Sequence, residues 1–170
     1  MNRRPLSLVV MFLLGLGACH RSAPAPEAAP APTTPPGGGM DGVTKPLMQV
    51  LSDEKDHRPS DTPSAEAIFA ALDKGGIPTQ DATQVMGRMV GAAFCENAHT
   101  AQGIVVSVCE FNDADTLTKG RAYSQKAFAT ALPNRVLLVN KKTLLTINPP
   151  DTSPGNKTQV ETIGRLFAAL

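Results

Sequence analysis

Three residues of the chain combine side-chain types that form disulfides or bind soft metals: Cys95, His99 and Cys109. Closing the loop of about 15 residues between the two cysteines as a disulfide would stabilise the fold by roughly 3 kcal/mol. Thiolate and imidazole groups also suit Cu(I) or zinc, but this spacing matches no standard zinc pattern, and a Cys-x-x-Cys redox pair does not occur. We predict a structural disulfide between Cys95 and Cys109, and a metal-handling or redox site that includes His99 is the alternative.

Motifs typical of enzymes do not occur in the sequence: it has no Gly-x-Ser-x-Gly elbow, no His-Glu-x-x-His pair and no phosphate-binding loop. Glu96 and Glu110 could meet across a strand pair as a carboxylate dyad, whereas exposed charges are the commoner role of such residues. We therefore predict a non-enzymatic protein with no catalytic residues, no metal site and no cofactor.

The composition argues against a nucleic-acid partner. Among the 170 residues, 16 are Lys or Arg and 15 are Asp or Glu, and removal of Arg3 and Arg4 with a leader leaves a net charge of about −1. A near-neutral chain lacks the positive charge that binds phosphates. Aromatic residues make up 4%, with no Trp and only Tyr123 as tyrosine, which weakens any interpretation based on base or sugar stacking.

The N-terminal residues have the layout of an export signal. Arg3 and Arg4 precede an apolar run over residues 6–16, which is shorter than the roughly 20 residues needed to span a bilayer. The run ends in Leu16-Gly17-Ala18-Cys19, in which two small residues lie directly before a cysteine. This segment resembles the lipobox of bacterial prolipoproteins.

The resemblance covers about the first 20 residues and implies cleavage between Ala18 and Cys19, with acyl chains of the palmitate type on Cys19. More than one acyl chain makes membrane anchoring stable. In Gram-negative lipoproteins an Asp after the cysteine favours inner-membrane retention. His20 at this position therefore implies an outer-membrane lipoprotein that faces the periplasm.

We divide the chain into a signal peptide at 1–18, a lipidated cysteine with a linker at 19–61, and one folded domain at 62–170. The linker is rich in Pro, Ala and Gly and cannot bury enough apolar surface to offset its ordering entropy. Its Pro-rich part is expected to be extended, at about 3.1 Å per residue. A short apolar island at 47–51 could dock on the domain or form a helical turn.

Alternating hydrophobic patterns predict an α+β domain, with a small antiparallel sheet of about four strands and helices packed on one face. The first helix is expected to begin with Thr62 as N-cap and to end at Gly75, and the last to begin with a capping box at Thr158 and Glu161. The remaining expectations are a strand at 103–111, a helix from Asp113 to about Thr130, and a hairpin of 135–139 with 143–147. Residues 82–95 are ambiguous between helix and strand; we favour a strand in their second half, with 96–102 as the connection that follows.

Together these features predict a membrane-anchored lipoprotein of the bacterial cell envelope. Its folded domain would be a binding module for an envelope protein or another envelope component, and no nucleic-acid partner is expected. The specific partner does not follow from the residues.

Overall fold

The computed structural model describes residues 45–170, which lie within one compact unit. The predicted signal peptide, cleavage site, lipidated Cys19 and Pro-rich part of the linker lie outside the described residues. The helices and strands, in chain order, are α1 Leu47–Asp56, α2 Ala65–Lys74, β1 Thr79–Val85, a 3₁₀ helix Gly87–Val90, β2 Phe94–Thr100, β3 Val105–Glu110, α3 Ala114–Ala127, β4 Val136–Asn140, β5 Thr143–Asn148 and α4 Pro154–Ala168.

The strands form one antiparallel sheet in the order β1-β2-β3-β5-β4, so β1 and β4 are its edges. This arrangement confirms the predicted α+β class, with five strands instead of about four. The additional strand is β1, whose sequence Thr-Gln-Asp-Ala-Thr-Gln-Val lacks the apolar alternation of a half-buried strand. An edge strand with mostly exposed side chains does not need that alternation.

Helices α2 and α4 cover one face of the sheet, and the main core lies between them and the strands. Side chains alternate between the two faces along each strand, so every second residue of β3 and β5 points into this core. The buried residues of the core are Ala65, Ile68, Phe69, Leu72, Ile77, Phe94, Ala98, Ile104, Val106, Val108, Leu145, Ile147, Ile163 and Phe167.

Helix α3 packs on the opposite face, which differs from the expectation that all helices share one face. Leu117 of α3 joins a second core cluster that includes Cys95, Phe111 and Leu144. The contact is close because α3 carries Gly120, where an added Cβ would lie 2.6 Å from the Phe111 ring. A glycine at this position lets the helix approach the 3₁₀ segment and the sheet.

Two helix starts differ from the sequence-based prediction. The N-cap of α2 is Ser64 and not Thr62, since the Ser64 hydroxyl accepts a hydrogen bond from the backbone N–H of Ala67. Helix α4 begins at Pro154 with Ser153 as its N-cap, so the expected capping box at Thr158 lies inside the helix. Proline is well suited to the first helical position, because the N–H that it lacks would be unpaired there.

The ambiguous segment 82–95 contains the end of β1, the 3₁₀ helix and the start of β2. Strand β2 continues to Thr100, so most of the segment 96–102 is strand and not the expected connection. The segment resembles a loop in composition because it contains the polar residues Asn97 and His99. They lie on the face of β2 opposite the main core, where polar side chains are tolerated.

The ordered domain begins before residue 62, which corrects the predicted boundary between linker and domain. Helix α1, Leu47–Asp56, lies inside the segment assigned to the linker. It is attached by buried Glu54 and by Gln84, whose Nε2 donates to the Leu51 carbonyl oxygen at 2.7 Å. The apolar island at 47–51 is therefore part of a docked helix.

Candidate functional site

Cys95 and Cys109 occupy directly opposed positions on β2 and β3. Their sulfur atoms are 2.04 Å apart, which is a disulfide bond length, and their Cα atoms are 4.2 Å apart, slightly closer than in most disulfides. The short Cα–Cα distance marks a pair without mutual backbone hydrogen bonds, where side chains approach most closely. The structure thus places the bond where the sequence predicted it, on the face covered by α3.

His99 does not join the two cysteines. It is exposed near the end of β2, where its register partners are Gln80 and Val105. Within residues 45–170, no group of three or more His, Cys, Asp or Glu side chains is arranged to hold a metal ion. The described residues therefore do not assemble the metal or redox site that was the alternative to a disulfide.

The largest concentration of buried charge lies at the end of β3. Glu110 is fully buried and accepts from Arg58 at two atoms, from Nε at 3.0 Å and from Nη2 at 2.5 Å. It also accepts from the backbone N–H of Ala65, at 2.8 Å, in the first turn of α2. A buried carboxylate requires such partners, because an unpaired charge in the interior is costly.

The guanidinium of Arg58 joins three elements of the domain, α2, β2 and β3. Besides Glu110 it binds both carboxylate oxygens of Glu66, at 2.6 and 2.7 Å, and its Cζ lies 3.9 Å from the centroid of the Phe94 ring. Its hydrogen bonds to Glu66 and Glu110 raise the pKa of Arg58 above its ordinary value. The same contact with Arg58 lowers the pKa of Glu66 to about 2. Arg58 and Glu66 are therefore both charged at neutral pH, and the one guanidinium serves two carboxylates.

Glu96 lies near this group but is not bonded into it. Partial burial, followed by the negative charge of Glu66, raises the pKa of Glu96. Because the Glu110 carboxylate is occupied by Arg58 and Ala65, the two glutamates do not form the carboxylate dyad considered from the sequence. The arrangement binds the segment before α2 to the sheet and leaves no free acid–base pair for catalysis among these residues.

A second buried carboxylate attaches α1. Glu54 accepts from the backbone N–H groups of Gly87 and Arg88, at 2.9 and 3.0 Å, at the start of the 3₁₀ helix. These donors have no partner within a short helix, and a carboxylate satisfies both of them. We refer to the three residues Glu54, Gly87 and Arg88 as the α1 clamp.

Arg58 and Glu54 are functional contacts that the sequence did not predict. Both lie in a charged stretch that resembles a solvated linker. Arg58 is 52 positions from Glu110, and Glu54 is 33 positions from Gly87. The one sequence feature that could have indicated this buried group was Glu110. It is the last residue of β3 and lies on the same face of the strand as the core residues Val106 and Val108. A glutamate at such a position needs a cationic partner, but the sequence does not indicate which one.

A groove of about 230 Å³ lies beside the edge strand β4. Val136 of β4 and Val160 of α4 form its apolar sides, with Pro149 from the loop between β5 and α4. Lys157 and Glu161 of α4 are the charged residues on its helix side. We call this feature the β4–α4 groove. Asn134, Asp151 and Thr152 complete its lining, so the groove carries two carboxylates and one ammonium group.

Comparisons with protein-family models, with curated proteins and with solved structures find no match for the chain. Among the described residues, no helix is both long and apolar enough to cross a bilayer.

Proposed function

We propose that the chain is a lipoprotein of the bacterial cell envelope, anchored through acyl chains on Cys19, and that residues 45–170 are a non-enzymatic module that binds another envelope protein. The segment Leu16-Gly17-Ala18-Cys19 after an apolar run is the observation that carries the anchoring. The residue after the cysteine is His20 and not the Asp that favours inner-membrane retention. The anchored protein would therefore lie on the outer membrane and face the periplasm.

The disulfide supports a location outside the cytoplasm. Disulfides persist in oxidising compartments such as the periplasm and are rare in the cytosol. The pairing of Cys95 with Cys109 leaves Cys19 as the one cysteine available for lipid attachment, because the chain has three cysteines.

The use of the charged groups supports a binding role over a catalytic one. Buried Glu110 and Glu54 are fully engaged in holding Arg58 and α1 in place. An enzyme site would need a titratable group with a free, directed lone pair beside a nucleophile. The described residues offer instead an exposed sheet edge and a shallow groove.

Mass spectrometry of the protein extracted from its own membranes tests the anchoring. We expect a chain that begins at Cys19, carries the added mass of acyl chains and lacks two hydrogens because of the disulfide. A Cys19→Ser variant should remain unlipidated and partition away from the membrane fraction. An unmodified chain that still begins at Met1 in the wild type would refute the proposal.

The metal or redox alternative requires free thiols at Cys95 and Cys109. Thiol labelling of the denatured, unreduced protein distinguishes the two functions. No labelling supports the structural disulfide, and two labelled cysteines per folded domain support the alternative.

A further inference from the structure

The two edges of the sheet differ in how they are protected against the addition of another strand. Edge β1 is polar, has a register shift between Gln80 and Thr83, and has Asp81 in the left-handed region with φ 56°. Such features prevent edge-to-edge pairing. Edge β4, with the sequence Val-Leu-Leu-Val-Asn, has neither a charge nor a proline, and its pairing with β5 has no register shift. An apolar and regular edge of this kind favours pairing with another strand.

The backbone groups on the outer side of β4 follow from its pairing with β5. Residues 141–142 form a two-residue turn, and Asn140 lies opposite Thr143. The residues that flank such a turn form a hydrogen-bonded pair, and bonded and non-bonded pairs then alternate along the ladder. The N–H and C=O groups of Leu137 and Val139 therefore point away from β5. Within residues 45–170 no further strand pairs with that side.

The sequence of β4 suits pairing with a second copy of itself. Two β4 strands that run antiparallel about a two-fold axis at Leu138 place Leu137 of each copy opposite Val139 of the other. Both of these residues direct their backbone groups outward, so each such pair exchanges two backbone hydrogen bonds. This register pairs every residue of the strand and places apolar side chains opposite each other at its three central positions. A shift by two residues in either direction leaves residues of β4 outside the pairing.

Helix α4 lies at a distance from this edge that lets it meet its own counterpart. It covers β4 and β5, and an added Cβ at Gly164 would lie 3.2 Å from the Leu138 side chain. The opposite flank of α4 faces α2, since Leu166 packs against Gly75. Neighbouring strands are about 4.8 Å apart, so the α4 helices of two paired copies would be about 9.6 Å apart. Helices pack at about 8–10 Å, and the small Gly164 leaves room for the contact.

The two ends of β4 carry complementary charges on the α4 face of the sheet. At the start of the strand, the β4–α4 groove contains Asp151 and Glu161 against the single cation Lys157. At the other end, the Lys141 Nζ lies 3.5 Å from the carbonyl oxygen of Leu170 and forms no ion pair within residues 45–170. A two-fold axis brings the end of one β4 beside the start of the other. The Lys141 ammonium of each copy would therefore face the acidic groove of the other copy.

We propose that the chain forms a two-fold symmetric dimer, in which the β4 strands of two copies pair antiparallel about Leu138 and join two five-stranded sheets into one. The α4 helices pack against each other on one face of the joined sheet, and Lys141 of each copy lies at the β4–α4 groove of the other. The partner is thus a second copy of this chain, which goes beyond the proposed binding of an envelope protein. The dimer does not depend on the lipid anchor.

Sedimentation equilibrium of the full chain in density-matched detergent measures the oligomeric state. We expect a monomer–dimer equilibrium that is half complete at about 100 µM or below. Val139 is 39% exposed, and Val139→Lys places a charge on the edge that should weaken the dimer by about ten-fold or more. Met89→Lys makes the same change at a methionine that is 48% exposed on the 3₁₀ helix, and should leave the dimer unchanged. Because this control retains the same N-terminus, it also accounts for two chains that share one micelle.

A single added cysteine locates the two-fold axis. In the proposed register Leu138→Cys places two thiols in a non-hydrogen-bonded pair, with Cα atoms about 4.5 Å apart, which is within disulfide range. Mild oxidation should cross-link this variant into a covalent dimer. Val139→Cys, whose counterpart in the other copy is two positions out of register, should cross-link about five-fold less. The wild type gives the background, since Cys95 and Cys109 are already bonded to each other.

An exchange of charges tests the contact between Lys141 and the groove. Lys141→Glu directs a carboxylate at an acidic groove and should weaken the dimer by about five-fold. Glu161→Lys leaves the groove with two cations and one carboxylate, and should weaken the dimer to a similar extent. The double variant restores opposite charges across the interface, and its dimerisation should recover to within about two-fold of the wild type.

Four results would each overturn the inference. They are a chain that is still a monomer at about 1 mM, equal weakening by Val139→Lys and Met89→Lys, stronger cross-linking from Val139→Cys than from Leu138→Cys, and no recovery in the double charge variant. Equal weakening would place the contact away from β4, and the stronger cross-link at position 139 would refute the two-fold axis at Leu138. If Leu138→Cys does not fold, the comparison of Val139→Lys with Met89→Lys decides, because both residues are exposed.

Discussion

Arg58 and Glu110 are 52 positions apart in the sequence, yet the guanidinium Nη2 of one lies 2.5 Å from a carboxylate oxygen of the other. Glu110 is the last residue of the central strand β3, and Arg58 lies in the connection between α1 and α2. The pair therefore fixes the connection between α1 and α2 to the centre of the sheet, with the Phe94 ring beneath the guanidinium.

Replacement of Arg58 should be strongly destabilising. Arg58→Ala leaves the Glu110 charge buried without its cation, and we expect the free energy of unfolding to fall by about 3–5 kcal/mol. Urea unfolding followed by circular dichroism measures the change. Lys119→Ala, which breaks the exposed pair with Asp115, is the matched control and should cost less than about 1 kcal/mol. Equal effects of the two substitutions would contradict the structural role of Arg58.

Loss of the disulfide should lower stability without changing the fold. The double variant Cys95→Ala and Cys109→Ala is expected to unfold with about 3 kcal/mol less free energy, because its unfolded chain is no longer constrained by the closed loop. Reduction of the wild type should reproduce the loss in the same assay. An unchanged unfolding midpoint in both experiments would show that the bond contributes nothing.

The α1 clamp should control the docking of the first helix. Glu54→Ala leaves the N–H groups of Gly87 and Arg88 without their carboxylate, which costs about 1–3 kcal/mol. Hydrogen exchange should become faster in residues 47–56 and at the 3₁₀ helix, while the core strands keep their protection. Asp56→Asn, an exposed change on the same helix, is the control, and identical exchange in both variants would argue against the clamp.

The pairing of Glu66 with Arg58 should appear as a pH dependence of stability. The pKa of Glu66 is held at about 2 against an ordinary 4.5, so its contribution is present above pH 4.5 and is lost as the pH falls toward 2. The Glu66 side chain is 61% exposed, and solvent screening limits the contribution to less than about 1 kcal/mol. Glu66→Gln should therefore be less stable than the wild type at pH 7, and the difference should disappear as the pH falls through about 2. A constant difference between these pH values would exclude the ion pair as its cause.

The effect of Glu96 on stability should have the opposite dependence on pH. Its pKa is raised by burial, so the wild type loses stability as the pH rises through that pKa, while a glutamine at this position loses none. We expect Glu96→Gln to melt at a higher temperature than the wild type at pH 7 and at the same temperature at pH 3. Calorimetry at both pH values measures this, and a variant less stable than wild type at pH 7 would contradict the assignment.

The features that were predicted correctly from the sequence depend on short-range sequence patterns. Asp113 caps α3 through the backbone N–H of Thr116 as expected, and the two segments predicted to form a hairpin pair as β4 and β5. The Cys95–Cys109 pairing was also predictable, because the antiparallel arrangement of two neighbouring strands was enough to bring the cysteines together. Each of these features depends on residues close in the chain or on one strand pair.

The features that the sequence did not reveal depend on distant contacts. The Glu54 and Arg58 contacts appear only when the sheet places β3 and the 3₁₀ helix beside a polar segment. The position of α3 depends on Gly120, whose role as a close-packing site is not visible without its neighbours. The exposed edge of β4 follows from the strand order, which no single segment determines.

The disulfide described above also limits how far the polypeptide can be stretched. The bond joins residues separated by 14 positions, so a chain pulled from both ends stops roughly 45 Å short of the contour length that its residue count allows. The segment 96–108 would bear none of that load. A force that separates the other strands from the sheet would still leave this covalent ring closed. Strands β2 and β3 would therefore still be linked when the chain refolds.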